Sequence, residues 1–316
     1  MNDAAVVTKL RRCTQLFRHT RVLYDADMLD RISRRALLVA PLAIEGQALA
    51  GIRRKIFRAS PLAGTAVLAY AFYTRARAGD MISIEERWSR SDTVDVAYIR
   101  NSHDHGRTWN APVTMRTAER RPEGMLRRHP RAGFVDSQDH YIEFWNEGIL
   151  ATDDPLEGLR EWKAFYRISR DGGRSFGAPT QIIHAGLEFD ARHPLPGVWT
   201  GKNCVMLGDV TCAPVAASEG GILLPVQITP LGSDGNLSNP GGGYTYTDAA
   251  VLHGRWDGNL LRWEMSDLVK GDPSRSTRGM DEGTLGFLDD GRLIMALRGS
   301  NGGDLHRSRG SGGCTS

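Results

Sequence analysis

The stretch DEGTLGFLDDGRLIMALR places a carboxylate near its start and an arginine at its end, Glu282 and Arg298. Between them lie two apolar runs joined by Asp290-Gly291, a pattern that predicts a β-hairpin. Such a hairpin returns Arg298 to the level of Glu282. The two then either face one cavity or form a solvated pair at the strand ends. Charged groups held at the ends of a rigid scaffold are the ones that most often carry function.

Other chemistries find little support. The sequence has no P-loop, no dinucleotide-binding glycine motif and no metal-ligand spacing, so no cofactor and no metal are expected. Cys13, Cys204, Cys212 and Cys314 are scattered without a CxxC; a Cys204–Cys212 disulfide is compatible with the spacing but not indicated by it. The formal net charge of +3 is too small to predict a nucleic-acid or membrane partner. Of the 40 basic residues only Lys9, Lys55, Lys163, Lys202 and Lys270 are lysines. The arginine excess suits carboxylate recognition, since a guanidinium presents a two-donor fork, but it also fits an arginine-rich proteome. No apolar run reaches the ~20 residues of a membrane helix. Localisation is not read from the sequence. The N-terminus lacks a signal-peptide core, and Ser33–Ala43, SRRALLVAPLA, resembles a twin-arginine export signal only in part.

The elements that must position such residues read as strands. Phe57–Tyr73, Ala132–Trp145, Ala213–Ile228 and Glu282–Arg298 each show an apolar run, a polar turn and a β-rich run, with turns centred near Gly64, Ser137, Gly220 and Asp290. The best amphipathic helix candidate is Ala26–Arg35. A second repeat lies between these units. SHDHGRTW starts at Ser102 and SRDGGRSF at Ser169, each after an alternating apolar run. Asp104 and Asp171 can accept hydrogen bonds from turn N–H groups, Gly106 and Gly173 allow positive φ, Ser102 and Ser169 satisfy further backbone groups, and Trp109 and Phe176 can cover the sheet. Turn chemistry alone explains every one of these residues. WDGNLLRW, Trp256–Trp263, reads as a degenerate third copy, and the fourth unit would place its copy near position 327, past Ser316. Repeated units of about four strands predict an all-β fold, a β-propeller, in which radial repetition limits exposed sheet edges.

These turns resemble the Asp box, or BNR repeat, of the sialidase (neuraminidase) superfamily, over residues 57–300. The resemblance implies a six-bladed propeller with the Asp boxes at its periphery, away from the catalytic face. It implies release of terminal sialic acid from a glycan partner with retention: a tyrosine nucleophile, a glutamate beside it, an acid/base aspartate, and three arginines on the substrate carboxylate. Carried onto this sequence, Glu282 is the glutamate and Arg298 one of the arginines. FRASP stands where the family has Tyr-Arg-Ile-Pro, which makes Arg58 another, with Arg53 and Arg54 close by. The aspartate falls between Arg58 and the first box, at Asp92 or Asp95, with Asp80 also in range. The third arginine and the tyrosine are expected after Arg298, where only Arg307 and Arg309 occur and no tyrosine. Tyr244 and Tyr246 are substitutes in the wrong chain order. The loops Trp145–Pro155 and Pro196–Cys204 are further candidates for the pocket face, while His103 and His105 are expected at the surface.

The organisation expected is a segment 1–56 that is a partial blade or leader, a propeller over 57–300, and a Gly/Ser-rich disordered tail 301–316. The propeller is expected to be incomplete at its C-terminus. The functions expected are a sialidase-like hydrolase, active or truncated and inactive; a non-catalytic glycan- or protein-binding propeller; or another glycoside hydrolase or lyase on the same fold.

Overall fold

The computed structural model describes residues 57–75 and 78–300, together with the backbone of a strand at Ala5–Val7 (β1). The readings made for Ala26–Arg35, for the export-like stretch, for Arg53 and Arg54, and for the tail with Arg307 and Arg309 lie outside these residues.

The described chain is built from antiparallel strands in four successive sheets. The first contains Ala66–Arg75 (β2), Asp80–Trp88 (β3), Val96–Ser102 (β4) and Val113–Met115 (β5), paired in chain order. The second contains Ala118–Arg121 (β6), Gly124–Pro130 (β7), Phe134–Val135 (β8), Tyr141–Leu150 (β9), Lys163–Ser169 (β10) and Thr180–Gln181 (β11). The third contains Val205–Leu207 (β12), Val215–Ala216 (β13), Ile222–Ile228 (β14), Asp248–Asp257 (β15) and Leu260–Met265 (β16). The fourth pairs Asp281–Phe287 (β17) with Leu293–Arg298 (β18), and β1 adds to its other edge, Ala5 opposite Arg298. Meandering sheets that follow one another and pack on their neighbours are the blades of a β-propeller.

Sheet-to-sheet packing fixes their order in space. Phe72 of the first sheet meets Tyr141 of the second at 5.8 Å between ring centroids. Phe144 and Tyr166 of the second pack on Trp263 of the third in a core that also buries Leu224 and Leu252. Leu223 and Val251 of the third pack on Leu285 and Met295 of the fourth. Every residue of β14 is buried, which an antiparallel strand requires only when both faces of its sheet are covered.

Three of the four expected hairpins form, β8–β9, β13–β14 and β17–β18. The first does not form at Gly64. There Thr65 N–H donates to Leu62 C=O in a turn that precedes β2, and the hairpin runs from β2 to β3 instead. Pro61 has no N–H for a ladder and too few residues separate it from the turn to form a strand. The blades are also unequal in strand number, because the short β8 and β13 add to strands that already have two neighbours.

The two SxDxGxS/T turns share one hydrogen-bond pattern. Asp104 Oδ1 accepts from Ser102 Oγ at 2.8 Å and from Thr108 N at 2.9 Å, while Asp171 Oδ1 accepts from Ser169 Oγ at 2.8 Å and from Ser175 N at 2.9 Å. Gly106 and Gly173, at φ of 76° and 88°, donate their N–H groups back to the serine hydroxyls. The Trp256–Trp263 stretch is a different structure, a tight hairpin with Asp257 opposite Leu260. Arg255 stands where the turn needs a serine, so the hydroxyl that organises the loop is missing.

Donation from Thr108 and Ser175, side chain first and backbone second, holds the Asp104 and Asp171 carboxyls well below the usual aspartate range. Their contribution to stability is therefore present above about pH 4, the range of an unfolded aspartate, and is lost as pH falls toward the folded value. Asp171→Asn should lower the neutral plateau while leaving stability near pH 2 closer to wild type, and so flatten the acid side of the stability-against-pH curve; urea midpoints between pH 2 and 7 measure this. An acid limb identical to wild type would rule out the coupling.

Candidate functional site

A cavity of about 220 Å³ is lined by residues from all four sheets. The first sheet and its β3–β4 loop supply Trp88 and Asp92, the second His129, Arg131 and Asn146, the third Asp209, Gln227 and Tyr244, and the fourth Arg278, Asp281 and Glu282. Trp162, on the connection before β10, adds a second indole wall.

Strand alternation explains who reaches the cavity. Ile84, Glu86 and Trp88 share one face of β3 with Tyr70 and Phe72 of β2, and Trp88 lines the cavity. Glu86, fully buried on that face, accepts from Tyr70 Oη at 3.0 Å and Trp88 Nε1 at 3.2 Å. Burial raises its carboxyl above the usual range, and the Arg131 charge opposes the rise. Glu85 faces the other way, where Arg87 and Arg100 pair with it at 3.0 and 2.8 Å.

The same alternation runs through β7 into the residue after it. Arg127, His129 and Arg131 point one way. Arg127 is held by Asp153, with Nε 2.7 Å from Oδ1 and Nη2 2.7 Å from Oδ2. His129 lies 4.6 Å from the Trp162 ring, and burial, then the Arg131 and Arg127 charges, push its imidazole well below the ordinary histidine range. It is therefore neutral at physiological pH. Arg131 donates from Nε to Leu207 C=O at 3.2 Å and from Nη1 to Pro130 C=O at 2.7 Å. Among the described residues no carboxylate lies within ion-pair distance of it.

Asp281 and Glu282 break the alternation. Neighbours in a strand point to opposite faces, yet both line the cavity. The register between β17 and β18 shifts between Asp281 and Thr284, and Glu282 sits at φ 44°, left-handed for a residue that is not glycine. A bulge of this kind re-aims side chains and is found next to active sites. Glu282 Oε2 then accepts from Arg298 Nη1 at 2.8 Å. Asp281 is 4% exposed, and its Oδ2 lies 3.0 Å from Arg278 Nη2 but accepts no aligned hydrogen bond. Burial is the largest cause of a carboxyl pushed up to about 6, with Arg278 opposing and Glu282 adding to it.

The expected site residues divide between cavity and elsewhere. Glu282 and Asp92 line the cavity, and Arg298 pairs with Glu282. Arg58 is on the opposite face of the first sheet, with Nε 3.4 Å from Glu85 and its guanidinium over the Phe57 ring. Strand alternation turns its partner Glu85 away from the cavity. Asp95 accepts from Ser89 N at 2.6 Å and so closes the β3–β4 loop rather than lining the cavity. Asp80 receives His103 Nδ1 at 2.7 Å. Tyr246 is buried and donates to Gly271 C=O at 3.2 Å, whereas Tyr244 is 52% exposed and lines the cavity. None of Ser102, Asp104, Gly106, Trp109, Ser169, Asp171, Gly173 and Phe176 lines the cavity. His103 and His105 are exposed. Asn146 and Pro155 reach the cavity from the first candidate stretch; from the second, Trp199 stacks on His193 instead. Cys204 and Cys212 are both free and buried.

Sequence reasoning passed over His129, Arg131, Arg278 and Asp281. The i, i+2 spacing of His129 and Arg131 was visible in the GMLRRHPR run, but nothing marked which face of that strand meets a cavity. No protein-family profile matches the chain, and no curated protein matches it. Solved structures that resemble it include an ulvan lyase (13% identity, 69% of this chain and 46% of that one, TM-score 0.41). Others are the Penicillium chrysogenum alpha-L-arabinanase with arabinobiose (11% identity, 77% and 58%, TM-score 0.36) and a Fusarium graminearum alpha-L-arabinofuranosidase (15% identity, 75% and 57%, TM-score 0.37). The chain spans about half the length of these proteins.

Burial, then the charge of Asp92, raises the Tyr244 phenol above its ordinary range. Ultraviolet titration should show one accessible tyrosine ionising above pH ~10, the value of a free phenol. Asp92→Asn should bring that midpoint down; an unchanged midpoint would mean that the two groups do not interact.

Proposed function

We propose that the chain is a glycosidase that releases a terminal sugar bearing a carboxylate, in the manner of the sialidases. The observation that carries the reading is Arg131, a half-buried guanidinium in the cavity wall with no carboxylate partner among the described residues. A desolvated guanidinium that keeps donors uncommitted is suited to an anionic ligand, which it can grip with two parallel hydrogen bonds. Trp88 and Trp162 supply flat apolar faces of the kind that cover a sugar ring, and Asp92, Asp281 and Glu282 supply the carboxyl groups that glycoside cleavage needs. In this reading Arg131 does the work expected of Arg58, Arg278 is a second cation, and Arg298 orients Glu282.

A second reading is a glycan-binding propeller without turnover. Tyr244 favours it: this is the one tyrosine among the cavity-lining residues, and its phenol is pushed up rather than down, the wrong direction for a nucleophile.

The test is hydrolysis of a fluorogenic aryl α-sialoside, with an aryl β-glucuronide and an aryl α-L-arabinofuranoside alongside. Turnover of the sialoside is expected. Arg131→Ala should raise KM roughly ten- to a hundredfold, from the ~1.5–3 kcal/mol of a hydrogen bond to a charged group, with the fold checked by circular dichroism. Preference for the arabinofuranoside would sink the acidic-sugar reading. Saturable binding of sialic acid with no turnover of any of the three would leave the binding propeller.

A further inference from the structure

Two carboxyl groups from adjacent residues reach the same cavity, and they are not equivalent. Glu282 is half-buried and spoken for by Arg298. Asp281 is nearly inaccessible, and its inner oxygen accepts no hydrogen bond from any described donor. The charged groups that face it are Arg278 from the preceding loop, Glu282 from its own strand and Arg298 from β18. Arg278 is the closest of them, and its guanidinium is shared with the Thr245 hydroxyl at 3.0 Å. A carboxyl withdrawn from water beside an acidic neighbour keeps its proton to a higher pH than an exposed aspartate does, even with the Arg278 charge opposing the rise.

We propose that Asp281 is the general acid of the glycosidase reading above, the group that hands its proton to the departing glycosidic oxygen. The inference rests on that reading and assigns a role the sequence pattern had given to Asp92 or Asp95. Asp95 closes a loop outside the cavity, and Asp92 is exposed on its loop with Ser91 Oγ donating to it at 2.9 Å. In the step, the Asp281 carboxyl loses its proton to the bridging oxygen as the bond from that oxygen to the anomeric carbon breaks. The bonding electron pair stays on the oxygen, and the aglycone leaves as an alcohol. Water supplies the hydroxyl that the anomeric carbon gains, and its remaining proton restores the Asp281 carboxyl. The group must be protonated to act, and a value of about 6 places enough of that form in the working range of a neutral-pH enzyme.

A general acid matters only where the leaving group needs a proton. The experiment compares two sialosides, one with a nitrophenyl aglycone and one with an alkyl or sugar aglycone, on wild type, Asp281→Asn and Asp92→Asn. For Asp281→Asn we expect turnover of the alkyl or sugar sialoside to fall by about 10²–10⁴-fold, while the nitrophenyl sialoside loses less than about tenfold. In the wild type, kcat/KM for the alkyl or sugar sialoside should decline above a pH of about 6, and Asp281→Asn should lack that limb. A loss of equal size on both substrates, or a leaving-group dependence that follows Asp92→Asn instead, would overturn the assignment while leaving the glycosidase reading intact. Wild type that cleaves neither of these sialosides nor the aryl β-glucuronide would remove the glycosidase reading and this one with it; if only the glucuronide is cleaved, the same comparison is made with nitrophenyl and alkyl β-glucuronides. If Asp281→Asn does not fold, the wild-type pH profile alone decides, since the absence of the limb near 6 for the alkyl or sugar substrate refutes the role.

Discussion

The structure depends on covering sheets that are apolar on both faces. β14 has no exposed residue, and β9 is buried along most of its length. Sheets of that kind cannot face water on either side, so each must lie between two others. Packing in chain order, first on second, second on third and third on fourth, satisfies the demand with short connections. The cavity is a consequence of this arrangement. Residues from four sheets, distant in the chain, meet where the blades converge.

Polar groups in that convergence are held by a few specific contacts. Arg127 is neutralised by Asp153, whose carboxyl its hydrogen bonds hold below the usual range. Glu282 is neutralised by Arg298. Arg131 has no carboxylate partner among the described residues, and Asp281, though Arg278 lies 3.0 Å away, keeps one oxygen, Oδ2, that accepts no aligned hydrogen bond. Buried groups left in this state cost stability, and sites of function are where that cost is usually found. The left-handed backbone at Glu282 and at Asp92 belongs with them, since both residues line the cavity.

The repeated turns serve the scaffold. Their aspartates satisfy N–H groups of their own loops, and Phe176 covers Tyr141, with the Arg167 guanidinium 3.9 Å from the Phe176 ring centre. A motif that announces the fold so plainly is thus spatially separate from the residues that would touch a ligand. This is also why two good copies of it say more about architecture than about chemistry.

The all-β, propeller-type architecture was legible in the sequence because its signals are local: alternating apolar runs, Asp-Gly and Gly-Gly turns, and a loop whose serine, aspartate and glycine satisfy one another. The Glu282–Arg298 pair was legible for the same reason, as the two ends of one hairpin. Which other groups would join them was decided by the tertiary structure. The face that β3 and β7 turn toward the cavity depends on how neighbouring blades pack, and that single choice brings in Trp88, His129 and Arg131 and leaves Glu85 and Arg58 outside. The bulge that turns Asp281 and Glu282 the same way is a matter of register with β18. Neither choice is written in residue types alone, because an alternating strand reads the same whichever of its faces ends up inside.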